Sequence, residues 1–241
     1  STGPRKRTMT RDIDVSDEPG GRARSMALLR DDLRRWGLLR SLYRRIMRRL
    51  APVLNVSFAV SRPLGVREVR LTCAGCSIRI ATREDLARAA ANPALQMTPA
   101  FVDHALSRGD ICAAAFDGED MVAYTWRAFV ATRHKDDVWL SFRPPYRYGY
   151  KALTLLAWRG RHLQEAISPF ADQLCIERGH TMAIGFIETH NYASLTSCGR
   201  TGDEKIGVIG YLRVAGRVFP FRSPGARRAG FGFVWKPDAR P

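Results

Sequence analysis

Residues 155–163 place two arginines and a glycine where a predicted apolar strand runs into a predicted helix, in the sequence LLAWRGRHL. Gly160, between Arg159 and Arg161, lets the backbone approach a ligand closely. The first N–H groups of a helix lack intrahelical acceptors and lie at the positive end of its dipole, so they bind anions such as a pyrophosphate. The segment therefore predicts an anion site. The alternative is a plain tight turn with two solvated arginines.

Residues that could move a proton follow the next apolar stretch, residues 182–188. Glu188 closes that predicted strand, and His190 and Asn191 follow it. A carboxylate or an imidazole within hydrogen-bond reach of an amine can act as its general base. A histidine at a strand end is more often structural, however, and no general base stands out from the sequence alone.

The elements that would position these residues are short strands mixed with short helices. Asp117-Gly118 and Ala215-Gly216 predict hairpin turns, and Thr82 with Asp85 predicts a helix start. Pro169 either lies inside a long helix or, after Ser168, begins a new one. Strands are predicted over 77–81, 111–116, 121–130, 138–142, 148–157, 182–188, 206–214 and 217–221, and helices from Thr82, from Pro99, over 161–178 and over 192–198.

The order of these motifs resembles that of the GNAT superfamily of acyl-CoA-dependent N-acyltransferases. Residues 77–86 resemble the start of the family's sheet, residues 115–124 its "DGexVGY" hairpin, residues 155–163 its pyrophosphate loop and residues 191–194 its Asn-x-x-Ser. The likeness covers about residues 77–221. It implies a GNAT-like α/β (α+β) fold, in which helices flank a mixed, mostly antiparallel central sheet.

The resemblance also implies a co-substrate and a set of contacts. The co-substrate would be acyl-CoA or acetyl-CoA, the acceptor an amine, and no metal would be needed. The family's fourth and fifth strands splay, and the pantetheine arm lies between them. The residues that would contact CoA are Ala157, Trp158, Arg159, Gly160, Arg161, His162, Leu163, Asn191 and Ser194.

Three positions depart from the family pattern. Ala157 replaces a Gln or Arg, and His162 stands where the loop has Gly or Ala, so its side chain would narrow the approach to the pyrophosphate. Cys198 stands where a tyrosine often protonates the leaving thiolate. Cys198, Tyr192 or water would then do that step. Glu188, Tyr192 and Cys198 are the candidate catalytic residues.

A basic arm precedes this region. Residues 25–50 carry apolar side chains at helical spacing, and the eight arginines and two aspartates between them give a net charge of +6. A basic amphipathic helix is typical of membrane interfaces. Docking on its own domain and binding of nucleic acid are the alternatives, of which the apolar face disfavours the second. The apolar positions are Leu29, Leu33, Trp36, Leu39, Tyr43, Ile46 and Leu50.

The composition restricts the class of protein. A net charge of +16 favours a polyanionic neighbour, with arginine-rich codon usage as the alternative. No apolar run reaches the ~18 residues of a membrane span. Five cysteines disfavour a disulfide scaffold, and Cys73 and Cys76 lack the second pair of a zinc site. We expect no signal peptide, and a cytoplasmic protein attached peripherally to the inner membrane of a bacterium.

The sequence thus predicts a tail over residues 1–24, a helical arm and linker over 25–65 and an acyltransferase domain over 66–235. The predicted function is acyl transfer from acyl-CoA to an amine. The arm suggests a lipid or sphingoid-type amine, as in a bacterial ceramide synthase. Two alternatives stay open: acetylation of a small amine or an aminoacyl-tRNA, and a non-catalytic module that binds CoA or nucleic acid. The oligomeric state is not predicted.

Overall fold

The computed structural model describes residues 33–34, 36–66, 68–69, 73–135 and 137–236, without the side chains of residues 197 and 199–201. The chain divides into two units, residues 1–49 and residues 50–241. Almost all of helix α1 (Leu38–Leu50) belongs to the first unit, and both sheets belong to the second.

Helix α1 carries five arginines and no acidic residue. Gly37 precedes it with a φ of +77°, a left-handed conformation that interrupts the helix predicted over 25–50. Leu39, Leu42 and Ile46 are exposed and fall on one side of the helix, while Arg40, Arg44 and Arg48 fall on another. The amphipathic pattern is therefore present from Leu38 onward. Residues 25–32 and 35 of the predicted helix lie outside the described residues.

Strands of the second unit form two sheets. They are β1 (Leu54–Pro63), β2 (Cys76–Ile80), β3 (Ile111–Asp117), β4 (Asp120–Ala128), β5 (Thr132–Lys135), β6 (Val138–Ser141), β7 (Tyr146–Thr154), β8 (Met182–Glu188), β9 (Glu204–Val214), β10 (Arg217–Arg222) and β11 (Gly232–Trp235). The larger sheet has the order β10-β9-β1-β8-β7-β4-β3-β2, and the smaller one has the order β11-β6-β5. The predicted mixed, mostly antiparallel sheet is confirmed.

The helices of this unit are α2 (Arg83–Ala91), α3 (Pro99–Ser107), α4 (Leu163–Glu177), α5 (Tyr192–Thr201) and α6 (Pro224–Arg228). Thr82 caps α2 as predicted, since the Asp85 N–H donates to Thr82 Oγ1 at 3.2 Å and the Thr82 N–H donates to Asp85 Oδ2 at 2.8 Å. Helix α4 continues through Pro169, so a new helix after Ser168 is the wrong alternative. Burial of Ile167 and Ala171 against β3 and β4 holds the helix together across the proline.

Residues 54–63, which the sequence predicts to be linker, form β1 in the interior of the larger sheet, between β9 and β8. The linker prediction is therefore wrong, and the sheet begins at Leu54 rather than after residue 66. The strand was not predicted because the buried face of β1 is partly polar. Ser57 and Asn55 are buried on it, and the Ser57 Oγ donates to Asn55 Oδ1 at 2.8 Å.

The two faces of the larger sheet are covered differently. Helix α4 packs on one face, where small residues such as Ala113, Ala115 and Ala123 meet Leu163 and Ile167. Helices α2 and α3 and the smaller sheet pack on the opposite face, which carries the large side chains. These are Phe116, Tyr124, Trp126, Ile184 and Tyr211. The sheet thus presents a smooth face to α4 and an aromatic face on its other side.

Candidate active site between two diverging strands

Strands β7 and β8 are the one parallel pair among the described strands of the larger sheet. They pair at three positions, which join Tyr146 to Met182, Arg147 to Ala183 and Tyr148 to Ile184. Beyond these positions β7 stays paired with β4 as far as Thr154, and β8 stays paired with β1 as far as Glu188. The sheet therefore opens between β7 and β8 while both strands keep their outer partners.

A cavity of about 390 Å³ lies where the two strands diverge. Residues 148–152 of β7 and residues 183–187 of β8 form its walls, and Ser168 of α4 and Asp203 also line it. Cavities of this size hold small molecules or one arm of a larger ligand. Because the strands part, the inner edge of each offers peptide groups to an extended ligand between them.

The predicted anion loop lies between β7 and α4. Strand β7 ends at Thr154, three residues before the predicted end, and residues 156–158 form a 3₁₀ turn. Gly160 and His162 both have left-handed backbone, with φ of +78° and +56°. The first backbone hydrogen bond of α4 runs from the Glu165 N–H to the His162 C=O at 2.9 Å. Residues 159–162 are exposed, as an anion site requires, but none of residues 157–163 lines the 390 Å³ cavity.

Side chains of this loop make their own contacts. The Arg161 guanidinium lies 4.3 Å from the centroid of the Trp158 ring, and Arg159 Nε donates to the Thr154 C=O at 3.4 Å. His162 Nδ1 lies 2.8 Å from Glu165 Oε1, and this hydrogen bond and the charge of Glu165 raise the pKa of the imidazole. The imidazole is therefore exposed and held by Glu165. Binding of a pyrophosphate by this loop stays a prediction.

Asn191 and Ser194 lie at the start of α5. The Ser194 N–H donates to Asn191 Oδ1 at 3.2 Å, so Asn191 is the N-cap of this helix. The contact fixes the turn between β8 and α5. It gives both residues a structural role, and their contact with CoA stays a prediction.

Glu188 lies at the end of β8, beyond the point where β7 and β8 part. Asn55 Nδ2 donates to Glu188 Oε1 at 3.3 Å, and His190 Nε2 lies 3.4 Å from Glu188 Oε2. The side chain of Glu188 is 40% exposed, which leaves the carboxylate accessible to an amine. Glu188 does not line the 390 Å³ cavity, and its role as a base stays a prediction.

Cys198 and Tyr192 both belong to α5. Cys198 is buried, its Sγ lies 3.6 Å from the Asp203 C=O, and burial raises the pKa of the thiol. A thiol with a raised pKa is protonated at neutral pH, as a proton donor must be. Neither Cys198 nor the half-buried Tyr192 lines the cavity, although Asp203 does. Their catalytic role stays a prediction.

Three arginines that the sequence does not single out converge beneath α4. The pairing of β1, β8 and β7 aligns Arg62, Ala183 and Arg147 in one row, and the pairing of β4 and β7 aligns Arg127 with Gly149. Side chains at paired positions point to the same face of a sheet. The three guanidinium groups therefore share the face that α4 covers. An arginine within an apolar strand, as in YTWRAF around Arg127, is the signal that could have found them.

Asp172 of α4 is the shared partner of these arginines. Its carboxylate lies 2.5 Å from Arg62 Nη2, 2.5 Å from Arg147 Nη2 and 3.4 Å from Arg127 Nε. Burial raises the pKa of Asp172, but the charges of Arg147, Arg127 and Arg62 outweigh it, so the net effect is a lowered pKa. Burial and the charge of Arg127 lower the pKa of Arg147 to about 10. We name Arg62, Arg127, Arg147 and Asp172 the arginine cluster.

The opposite face of the same strands is aromatic. The rings of Tyr148 and Tyr150 stack with centroids 5.8 Å apart, and Phe186 lies 6.3 Å from Tyr148. The Tyr150 hydroxyl donates to Asp110 Oδ2 at 2.5 Å, and Arg108 Nη2 lies 2.5 Å from the same oxygen. A ligand between β7 and β8 would thus meet the arginine cluster on one side of the sheet and stacked aromatic rings on the other.

Two further features bear on the site. Within the residues that the structure describes, no group of three or more His, Cys, Asp or Glu side chains could hold a metal ion. None of the helices in these residues combines the length and the apolar character that crossing a membrane demands.

Comparison with known proteins gives a likeness to solved structures only. No family model matches the chain, and no curated protein matches it. A crystal structure described as a GNAT-family acetyltransferase from Novosphingobium aromaticivorans shares 13% identity at a TM-score of 0.47, covering 65% of this chain and 62% of that one. A GCN5-related N-acetyltransferase from Kribbella flavida shares 14% at a TM-score of 0.42, covering 81% and 67%.

A GNAT-family acetyltransferase from Colwellia psychrerythraea shares 14% identity at a TM-score of 0.43, covering 70% of this chain and 56% of that one. The chain thus spans about three fifths of the length of these structures. At such identities and TM-scores the likeness concerns the fold alone, and the family and activity of this chain are proposals.

Proposed function

We propose that the protein transfers an acyl group from acyl-CoA to an amine. The observation that carries this proposal is the opening between β7 and β8, the one parallel pair among the described strands of the larger sheet, with a cavity of about 390 Å³ between them. The exposed loop around Gly160, which joins β7 to α4, adds the helix start that a pyrophosphate needs.

In this proposal the pantetheine arm of acyl-CoA lies between β7 and β8. It exchanges hydrogen bonds with the inner edges of the two strands, and the pyrophosphate meets the amides of residues 159–163. Arg159 and Arg161 add positive charge beside it. The long, thin shape of pantetheine suits an opening between strands, because extended chains pair with strand edges.

The amine then attacks the thioester carbon directly. A C–N bond forms, and a backbone N–H of β7 stabilises the oxyanion of the tetrahedral intermediate. The C–S bond breaks as the intermediate collapses. Glu188, alone or through water, takes the proton of the amine, and Cys198, Tyr192 or water returns a proton to the CoA thiolate.

Calorimetry with CoA and with pantetheine tests the pyrophosphate loop. In the variant Arg159→Ala with Arg161→Ala we expect CoA to bind about tenfold more weakly and pantetheine to bind unchanged, because only CoA carries the phosphates. Arg83→Ala with Arg217→Ala, two exposed arginines of α2 and β10, is the matched control. Equal affinity of all three proteins for CoA would remove the loop from the proposal.

A second proposal concerns the acceptor. The exposed apolar side of α1 beside its arginines favours attachment to an anionic membrane surface, and hence a lipid or sphingoid-type amine. Peripheral attachment at the inner membrane of a bacterium would follow. Acetylation of a small amine or an aminoacyl-tRNA is the alternative, as is a non-catalytic module. Release of free thiol from acyl-CoA with each class of amine separates these possibilities.

Flotation with vesicles tests the membrane proposal. We expect the protein to float with phosphatidylglycerol vesicles, and Leu39→Glu with Leu42→Glu to abolish flotation. Both leucines are exposed, at 81% and 53%. Val66→Glu with Phe219→Glu, at similarly exposed positions of the second unit, is the control. Flotation of the α1 variant with the same vesicles would contradict the proposal.

A further inference from the structure

We propose that the arginine cluster is a binding site for a carboxylate of the ligand that occupies the cavity. Arg62, Arg127 and Arg147 all line the cavity between β7 and β8. This site is separate from the pyrophosphate loop, since none of residues 157–163 lines the cavity. It deepens the proposed function, because it concerns which acyl group or amine the same cavity accepts.

Charge within the cluster is not balanced by the side chains that the structure describes around it. Three guanidinium groups face Asp172 and, more distantly, Asp203, whose Oδ1 lies 3.6 Å from Arg62 Nε. The side chains of Arg127, Arg147 and Asp172 are only 5%, 6% and 4% exposed. An uncompensated charge at such depth is costly unless an anion joins it. The five side chains together carry a net charge of +1, which one carboxylate neutralises.

One donor of the cluster lacks a partner in the part of the protein that the structure describes. Arg147 Nε is buried and makes no hydrogen bond within the described residues. Gly149, which lines the cavity, lies beside an amino group of each of two arginines, of which Arg127 Nη1 already donates to Thr125 Oγ1 at 2.7 Å and to the Trp126 C=O at 3.2 Å. A Cβ at this position would lie 3.1 Å from Arg147 Nη1 and 3.3 Å from Arg127 Nη1. The two guanidinium groups therefore meet at one point of the cavity wall, where glycine leaves room for them.

The chemistry of this arrangement fits a carboxylate. A guanidinium presents its N–H groups in a planar fork that matches the two oxygens of a carboxylate. A phosphate would bring up to two negative charges against a net charge of +1. Two sources of the carboxylate are compatible with the cavity: the far end of a dicarboxylic acyl group on CoA, and the acid group of an amino-acid acceptor.

Calorimetry with the CoA compounds and steady-state kinetics with the acceptors, both on the full chain, test the site and separate the sources. For the first source we expect succinyl-CoA to bind at least about tenfold more tightly than acetyl-CoA. For the second we expect the KM of an amino acid to be at least about tenfold below that of its amide, with acetyl-CoA as donor. In Arg147→Met we expect the preference for the compound with the carboxylate, in affinity or in KM, to fall below about threefold. In Arg83→Met, a control in an exposed ion pair on α2, it is unchanged.

Asp172→Asn provides a second test that does not depend on CoA. This variant keeps the shape of the side chain but removes the charge that faces the three arginines. The variant raises the positive charge of the cluster. We therefore expect succinate to raise the Tm of Asp172→Asn more than the Tm of the unchanged protein, each compared with sodium chloride at the same ionic strength. We expect succinate to raise the Tm of Arg147→Met less than that of either of these two proteins.

The outcomes distinguish this inference from the proposed function. If CoA and acetyl-CoA bind but neither carboxylate preference nor succinate stabilisation depends on Arg147, the cluster only fastens α4 to the sheet, and the inference is overturned. If succinate stabilisation depends on Arg147 but no CoA compound binds, the carboxylate site stands and the acyl-CoA proposal fails.

Discussion

The two faces of the sheet at the opening between β7 and β8 differ although the same strands build both. Alternate residues of β7 point to opposite faces, so Arg147 and Gly149 lie on the face of α4 while Tyr148 and Tyr150 lie on the other. The first face holds guanidinium groups and a carboxylate, and the second holds stacked rings. The charged face depends on ion pairing, whereas the aromatic face depends on the burial of rings.

This difference has a consequence for ligands. A carboxylate gains most on the charged face, where three guanidinium groups line the cavity. An apolar group gains most on the aromatic face, where contact with rings replaces water. A ligand that passes between the strands would therefore be oriented by its own polarity. The charged face should respond most strongly to the removal of a charge, and the aromatic face should respond to the addition of one.

The largest expected effect is at the centre of the charged face. Asp172→Asn leaves three arginines without their shared carboxylate, and we expect the free energy of unfolding to fall by about 3–5 kcal/mol, measured by denaturant titration. Asp103→Asn is the matched control, since Asp103 pairs with Arg83 at an exposed position and should cost at most about 1 kcal/mol. Equal losses in the two variants would contradict the special position of Asp172.

A smaller effect is expected at Gly149, where a side chain would meet two guanidinium groups. Gly149→Ala should lower the free energy of unfolding by about 1–3 kcal/mol, because the crowded arginines have to move. Gly185→Ala is the control across the opening, where a Cβ would lie 3.7 Å from Val60 Cγ2, an ordinary contact. A Gly149 variant as stable as the Gly185 variant would show that the arginines are not packed against this glycine.

Elements with a strong local signal could be predicted from the sequence. The Thr82 cap and the Asp117-Gly118 turn are set by neighbouring residues, and the structure has both, as it has the strand from Met182 to Glu188. Strand β1 could not be predicted, because the partner of its buried Asn55 is Glu188 of β8, which only folding brings near. Strand β5, with the sequence TRHK, lacks an apolar run altogether.

The candidate site also has one part that could be predicted from the sequence and one part that could not. The exposed loop around Gly160 could be found because its residues are consecutive. The arginine cluster could not, since Arg62, Arg127, Arg147 and Asp172 come from β1, β4, β7 and α4. Their convergence depends on the pairing register, which no local pattern fixes.

The last expected effect is on the aromatic face, where pH adds a charge. His134 packs against Phe186 and Phe233, with ring centroids 5.3 Å and 5.0 Å away, and burial together with the charge of Lys135 lowers its pKa from 6.5 to about 4. Between these two pH values the unfolded chain binds a proton that the folded chain does not. The free energy of unfolding should therefore fall as the pH drops from about 6.5 to about 4, by about 2–3 kcal/mol from this group.

The difference between the unchanged protein and His134→Phe isolates this contribution, because the other titrating groups are common to both. We expect the difference in the free energy of unfolding to change with pH across this range and to be constant above pH ~7. A difference that does not vary with pH would mean that the imidazole can be protonated among the rings at little cost. The aromatic face would then tolerate a charge, and the contrast between the two faces would be one of shape rather than of polarity.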